Sequence, residues 1–291
     1  MAHSDPALAT ESPLQPGELG DANALVREAG WNQIDADWRI FLQLGHVYAV
    51  RNSGGRVVAT AATLPYGCQF AWISMVLVNA DYRRQGLATR LLHRCINDLT
   101  AAGLVPVLDA TPDGREVYRA LGFEDVWGYH RLVLRNSPRP ISVAQAGNIE
   151  IRPVDDVAWA AICDYDALAF GTKRNEMLAQ LRGRLPQAEL YATCRGRITG
   201  LLLGRDGRTA VQLGPLIAED DATALALLQR ALGAVSAPTN IDFADAKGTV
   251  RQWLEASGFS AVRPLTRMLL HRSKSFDDPQ RTFAVIGPEF G

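Results

Sequence analysis

The sequence predicts a mixed α/β fold that occurs twice in the chain. Two strand–turn–strand patterns with glycines in the turn, "VYAVRNSGGRVVA" (47–59) and "LYATCRGRITG" (190–200), stand far apart. Further along, "LGFEDVWGYHRLVL" (121–134) and "SGFSAVRPLTRMLL" (257–270) align without a gap. At 291 residues the chain is long enough for two domains. We therefore expect two domains of one α/β (α+β) architecture, each a mixed, mostly antiparallel twisted sheet flanked by helices.

The elements of the first copy alternate between helical and strand patterns. One long pattern carries its apolar residues on a single helix face and ends at Gly103. We predict helices near 21–29, 35–44, 89–102 and 115–121, and strands near 46–51, 56–66, 71–79, 105–110 and 126–134. Interleaved helices and strands exclude an all-β fold and a helical bundle.

The domain boundaries follow from the repeat and from one change in composition. The stretch "NSPRPISVAQAGN" combines proline with small polar residues, which is typical of an exposed connector. The end of the sequence, "RTFAVIGPEFG", is apolar, and we expect it to pack back onto the protein. We place the first domain (copy one) at 12–135, a linker at 136–148, the second domain (copy two) at 149–272 and a tail at 273–291.

Composition excludes several classes of partner. The net charge is −1, so no overall basic field favours nucleic acid. No stretch approaches the roughly 18 apolar residues of a membrane span, and the first residues lack a signal-peptide pattern. The four cysteines have no metal-ligand spacing and fit reduced core residues. We expect a cytoplasmic protein, monomer or homodimer, without a metal site.

The stretch "NADYRRQGLATRLL" (79–92) predicts an anion-binding loop. It follows a strand that ends near Val78 and leads into a helix, where free backbone amides and the helix dipole favour an anion. Gly86 allows close approach of the backbone, and Arg83 and Arg84 add positive charge. The pattern matches neither a P-loop nor a dinucleotide-binding motif.

Two motifs together resemble the GNAT family of N-acetyltransferases. "VNADYRRQGLA" resembles the family's [RQ]-x-x-G-x-[GA] loop, and "EVYRALGF" resembles its last-helix signature. The resemblance implies that Tyr118 is the general acid that protonates the departing CoA thiolate. It further implies that acetyl-CoA binds through its pantetheine to the backbone of Val76, Leu77 and Val78, and through its pyrophosphate to the amides of Arg84, Gln85, Gly86, Leu87, Ala88 and Thr89.

The chain departs from the family pattern after the next strand. Many relatives carry an asparagine there, whereas this chain has "DATPDGR". Thr111 or Asp109 is a candidate replacement for that CoA contact.

The acceptor side is less defined by sequence. Trp31 and Asn32 lie between two predicted helices, in the segment that covers the acceptor pocket in GNAT proteins. The indole of Trp31 suits an apolar or cationic acceptor, whereas Trp38 fits the buried face of a helix. A water chain is one alternative for the general base. The candidate residues are Glu28, Asp37, His46, Asp109 and His130.

The resemblance implies an acetyl-CoA-dependent N-acetyltransferase acting on a primary amine, which we expect to be a small molecule, by direct attack in a ternary complex. The alternative is a non-catalytic acyl-CoA-binding sensor or regulatory protein. Copy two has lost the motifs: Glu219, Asp220 and Ala222 replace the two arginines and the glycine of the loop, and Leu254 replaces the tyrosine. We therefore expect one acetyl-CoA per chain.

Overall fold

The computed structural model describes residues 11–138, 148–235 and 238–291. These fall into two compact units, an N-terminal unit, Met1–Val107, and a C-terminal unit, Leu108–Gly291. Most of the predicted linker at 136–148 lies outside the described residues. Within those residues, no helix is long and apolar enough to cross a membrane.

The N-terminal unit is a sheet with helices packed on it. In chain order its elements are β1 (Ser12–Pro13), α1 (Leu19–Glu28), α2 (Asp35–Leu44), β2 (His46–Arg51), β3 (Val57–Tyr66), β4 (Phe70–Val78), α3 (Leu87–Ala101) and the first half of β5 (Val105–Ala110). The strands pair in the order β1-β2-β3-β4-β5, antiparallel except for the parallel pair β4 and β5.

Helix α3 shows how the local sequence builds this unit. Its apolar stripe, including Leu91, Cys95 and Leu99, is buried, and the helix packs on β3 and β4. The helix begins at Leu87, two residues before the predicted start. The reason is that Gly86, with φ of +78°, already turns the chain into the helix.

The C-terminal unit holds the remaining elements in one mixed sheet. They are α4 (Pro112–Ala120), β6 (Phe123–Leu134), β7 (Ile149–Pro153), α5 (Trp159–Phe170), α6 (Asn175–Ala179), β8 (Leu190–Cys194), β9 (Arg197–Arg205), β10 (Val211–Ala218), α7 (Asp221–Leu232), β11 (Thr239–Ala244), α8 (Gly248–Ala256), β12 (Ser260–Leu270) and β13 (Thr282–Val285). The strand order is β12-β6-β11-β13-β10-β9-β8-β7. Strands β10 and β11 pair in parallel. The pairs that β6, β7, β8, β9 and β13 make with their neighbours are antiparallel.

The closing strand of copy one lies among the strands of copy two. Strand β6 pairs antiparallel with both β12 and β11. Its inward residues Leu132 and Leu134 belong to the same hydrophobic core as Leu216, Ile241 and Phe283. Strand β6, which belongs to copy one by sequence, therefore packs in the hydrophobic core of copy two.

A buried ion pair fixes β6 against β11. The Arg131 guanidinium donates to both carboxylate oxygens of Asp242, over 2.9 and 2.7 Å, and Gln212 donates to the same carboxylate over 3.0 Å. Burial by itself would lower the pKa of Arg131, but the Asp242 carboxylate beside it raises that pKa above its usual value. The arginine therefore stays charged inside the sheet.

The repeat-related arginine makes the reciprocal contact. Arg267 on β12 donates to both oxygens of Asp109, over 3.0 and 3.1 Å, and also to Asp277. These three side chains are almost fully buried. Each copy thus supplies an arginine from its closing strand and an aspartate that receives the other copy's arginine.

The predicted fold class is confirmed, because both copies are mixed, mostly antiparallel sheets flanked by helices. The predicted tail at 273–291 does pack back onto the protein, since it contributes β13 to the sheet of the C-terminal unit. The domain boundaries themselves stay a prediction.

We predict that Asp242→Ala lowers the free energy of unfolding by about 3–5 kcal/mol, because it leaves a buried arginine without its counter-charge. Chemical denaturation followed by circular dichroism measures this change. Glu150→Ala is the control, since it breaks an exposed ion pair with Arg152 and is expected to leave the transition unchanged. An Asp242→Ala midpoint equal to that of the unsubstituted protein would show that the pair does not hold β6 in place.

Candidate active site

Strand β4 contains a bulge just before the predicted cofactor-binding stretch. Met75 has φ of +52°, and the register with β3 shifts at this point, so that two residues of β4 oppose one of β3. The Thr60 hydroxyl donates to the Met75 carbonyl oxygen over 2.9 Å and holds the bulge. Within the N-terminal unit, the edge of β4 facing β5 is paired only at 70–72, which leaves 73–78 as a strand edge without a strand partner there.

The loop after β4 is anchored by a single carboxylate. Glu28, the last residue of α1, accepts hydrogen bonds from the Asn79 side chain over 2.7 Å, from the Ala80 amide over 2.5 Å and from Arg83 over 3.0 Å. Arg83 also donates to the Val78 carbonyl oxygen over 3.1 Å. Arg83 therefore orders the loop, and Arg84 is left as the cation available to an anion.

The loop presents six consecutive backbone amides. Arg84 and Gly86 both have left-handed φ, of +60° and +78°, a turn geometry that gathers amides into an anion-binding concavity. Within the described part of the chain, the amides of 84–86 donate to no backbone carbonyl, and Arg84 forms no ion pair. The amides of 87–89 precede the first helical bond, from Arg90 to Gly86. A Cβ built on Gly86 would meet no atom within 4 Å, so this side of the loop is open.

Tyr118 lies on α4 in the C-terminal unit. Its ring packs over Gly114, where a Cβ would lie 2.9 Å from it, and 6.0 Å from the ring of Phe123. Burial raises the pKa of the Tyr118 phenol above its ordinary value. The hydroxyl has no hydrogen-bond partner among the described residues. The side chain is therefore held by packing while its proton remains available.

Helix α4 is itself tied to its neighbours. The Thr111 hydroxyl caps it by accepting from the Gly114 amide over 3.3 Å. Arg115 and Arg119 donate to Asp125 on β6. These contacts fix the helix that carries the tyrosine.

Both candidate replacements for the missing asparagine have structural partners. Thr111 caps α4, and Asp109 is held by Arg267. Burial raises the pKa of Asp109, and the neighbouring Arg267 opposes that effect. The sequence alone did not reveal either contact.

The acceptor segment between α1 and α2 is more buried than the sequence indicates. Asn32 is only 4% exposed, and Trp31 is half-buried. Trp38 is fully buried against Phe41, as its helix pattern predicted. The structure adds Gln33, whose buried side-chain oxygen has no hydrogen-bond partner in the described chain, and no sequence motif singled this residue out.

The structure gives the candidate bases other contacts. Glu28 anchors the loop and Asp109 pairs with arginine, while Asp37 caps α2 by accepting from the Ile34 amide over 2.9 Å. His46 packs against the ring of Tyr48, and His130 contacts Asp245 over 2.5 Å. None is left as an isolated base. Within the described residues, no group of three or more His, Cys, Asp and Glu side chains is arranged to hold a metal.

In copy two, the corresponding helix begins with an acidic side chain as its cap. The Asp220 carboxylate caps α7 by accepting from the Thr223 amide over 2.8 Å, and Glu219 lies 3.8 Å from Arg197. An internal carboxylate therefore satisfies this helix N-terminus. Leu254, the counterpart of Tyr118, is fully buried.

The predicted residues divide between the two units. Residues 76–78, residues 84–89, Trp31 and Asn32 belong to the N-terminal unit, where the end of β4 runs directly into the loop and α3. Tyr118 belongs to the C-terminal unit.

Comparison with known proteins gives a consistent result. An "Acetyltransferase (GNAT) family" model matches residues 20–123, and an "Acetyltransferase (GNAT) domain" model matches residues 162–284. The uncharacterized N-acetyltransferase YitH of Bacillus subtilis (strain 168) is 23% identical over 236 residues, which cover 81% of this chain and 82% of YitH.

Solved structures share the fold. A putative acetyltransferase from Pyrococcus horikoshii superposes with a TM-score of 0.77 at 19% identity, covering 98% of this chain and 96% of its own. A tandem GNAT protein from the clavulanic acid biosynthesis pathway gives a TM-score of 0.62 at 15% identity, covering 90% and 98%. Together the two matched domains span most of the sequence, and the chain belongs to the GNAT acetyltransferase family, with two of its domains in tandem.

Proposed function

We propose that this protein is an acetyl-CoA-dependent N-acetyltransferase that acetylates the primary amine of a small molecule. The observation that carries the proposal is the loop after β4. Its six consecutive amides, at 84–89, come before the first hydrogen bond of helix α3, and the space beside Gly86 is open. GNAT proteins use acetyl-CoA as donor. A pyrophosphate fits this loop because amides at a helix start and an exposed arginine both favour a polyanion.

The strand edge at 73–78 supplies the second half of the donor site. We assign the backbone of Val76, Leu77 and Val78 to the pantetheine amides, which pair with a strand edge as an added strand would. The bulge at Met75 changes the direction of the backbone just before this stretch. A backbone amide there stabilises the negative charge that develops on the thioester oxygen.

Tyr118 is assigned as the general acid. The neutral acceptor amine attacks the thioester carbonyl carbon, the carbon–sulfur bond breaks, and the Tyr118 hydroxyl gives its proton to the CoA sulfur. The nitrogen, now bonded to the acetyl group, releases one proton to solvent water, and the Tyr118 phenolate takes one proton back from solvent, so that no net charge or proton is left over. The raised pKa keeps this phenol protonated at neutral pH. Its hydroxyl has no partner among the described residues, so the proton transfer breaks no internal contact there.

The acceptor pocket is assigned to the segment between α1 and α2. Trp31 and Asn32 lie there, and the unpartnered oxygen of Gln33 is a ready acceptor for an ammonium or amine N–H. The free cysteines of the described chain fit the reducing cytoplasm predicted from the sequence.

The alternative is an acyl-CoA sensor without turnover. A sensor requires the loop but has no use for a tyrosine hydroxyl held without a partner. An assay of CoA release with a panel of amines, using acetyl-CoA and longer acyl-CoAs, separates the two functions. Release that depends on an amine supports the enzyme, and tight binding with no release for any amine supports the sensor.

We predict that Gly86→Asp weakens acetyl-CoA binding by at least about tenfold relative to Gly86→Asn, because its charge repels the pyrophosphate. Asparagine is the matched control, since both residues tolerate the left-handed conformation and have nearly the same volume. Isothermal titration calorimetry measures the two affinities. Equal dissociation constants would contradict the assignment of the loop.

We predict that Tyr118→Phe lowers kcat by about 100-fold while acetyl-CoA affinity changes little, because the ring and its packing are kept. Tyr48→Phe is the control, since it removes a tyrosine hydroxyl that bonds Asp98 at another place in the fold. If the Tyr118→Phe variant turns over at the wild-type rate while chemistry limits the reaction, Tyr118 is not the acid.

The pH profile gives an independent check. Neutral phenol is the active form of the acid, and a raised pKa keeps it neutral to higher pH. The ordinary pKa of tyrosine is about 10. We therefore expect kcat to fall on the alkaline side only above about pH 10. Loss of kcat between about pH 7 and 9 would point to a different acid.

A further inference from the structure

The two copies share a parallel strand pair that separates after three residue pairs. In copy one, residues 70–72 of β4 pair with 105–107 of β5. In copy two, residues 211–213 of β10 pair with 239–241 of β11. In both copies the parallel pairing ends after these three residue pairs, and in copy two this leaves a gap between β10 and β11.

In copy two, a strand of the same chain fills this gap. Strand β13 pairs antiparallel with β10, where Ala284 lies opposite Leu216. It also pairs antiparallel with β11, where the same Ala284 lies opposite Phe243. The backbone of β13 thus has a strand partner on each side.

Two glycines of copy two lie in close backbone contact with the C-terminal segment 276–291, which contains β13. At Gly214, with φ of +144°, a Cβ would lie 2.0 Å from the Val285 carbonyl oxygen. At Gly171, with φ of +90°, a Cβ would lie 2.1 Å from the Phe276 carbonyl oxygen. Because no side chain fits at either contact, this backbone approach is built into copy two.

Side chains anchor the segment further. Phe283, Ile286 and Phe290 are buried. Glu289 forms a buried ion pair with Arg205. The Gly291 carbonyl oxygen accepts a hydrogen bond from the buried Arg174 over 3.0 Å.

We propose that β13 takes in copy two the place that the pantetheine of acyl-CoA takes in copy one, so that this chain's own segment permanently occupies the second cofactor gap. The inference rests on the proposed function for the assignment of 76–78 to pantetheine. The occupied gap adds to the acidic start of α7 and to the loss of the tyrosine in copy two. The chain then binds one acyl-CoA and uses copy two as a scaffold.

Hydrogen–deuterium exchange of the full chain, with and without acetyl-CoA, tests the proposal together with a calorimetric titration. We expect peptides covering 279–291 to exchange slowly in both states, and peptides covering 73–89 to gain protection only with acetyl-CoA. Saturation is expected near one equivalent. A second equivalent, or faster exchange in 279–291 when acetyl-CoA is added, would overturn the proposal.

A variant pair isolates the contact. Gly214→Ala is expected to speed exchange in 279–291 by about tenfold or more, because its methyl group displaces β13. Gly196→Ala is the control, since it has φ of +76° with no atom within 4 Å of its Cβ. Unchanged exchange in Gly214→Ala would show that the segment is not held in the gap.

The outcomes separate this proposal from the proposed function. If acetyl-CoA fails to bind at all, the function is wrong, and protection of 279–291 in the ligand-free chain still reports whether the gap is filled. If one equivalent binds while 279–291 exchanges as fast as exposed chain, the cofactor site of copy one stands and the internal occupant of copy two is wrong.

Discussion

Two arginines that reach from one copy of the fold to the other hold the C-terminal unit together. Arg131 and Arg267 are buried in the sheet, and each is neutralised by an aspartate of the opposite copy. Charges in such a place are tolerated only when they are paired and hydrogen-bonded. Helix α4 lies in sequence between Asp109 and Arg131, the copy-one members of the two pairs. The position of Tyr118 in its unit therefore depends on residues of copy two.

Much of this arrangement could be predicted from local sequence patterns, because helix and strand periodicities and glycine turns depend on neighbouring residues. The loop at 79–92 and the buried position of Trp38 belong to this class. The structural role of Arg83 in ordering the loop could not be predicted in this way, because its partner Glu28 lies on α1, far away in the sequence. The exchange of β6 could not be predicted either, since both closing strands have the same pattern and either is able to pair with either sheet.

The two copies show how one architecture changes its chemistry at a helix start. In copy one, Gly86 turns the chain without supplying an acceptor, and the first amides of α3 remain open to an external anion. In copy two, Asp220 supplies the acceptor from its own side chain. A carboxylate in this position stabilises the helix and repels a second anion. The cap that stabilises the start of α7 therefore also prevents this helix start from binding an anion.

The exchanged strands also determine how such a chain would tolerate division into halves. The stretches 121–134 and 257–270, which align without a gap, are the strands that each copy places against the other. The loop and the tyrosine differ between the two copies, whereas each arginine suits an aspartate of the other copy. Halves produced from separate genes would each contain a buried arginine and a buried aspartate without their partners, and an unpaired sheet edge. They would regain the fold only by assembling with each other.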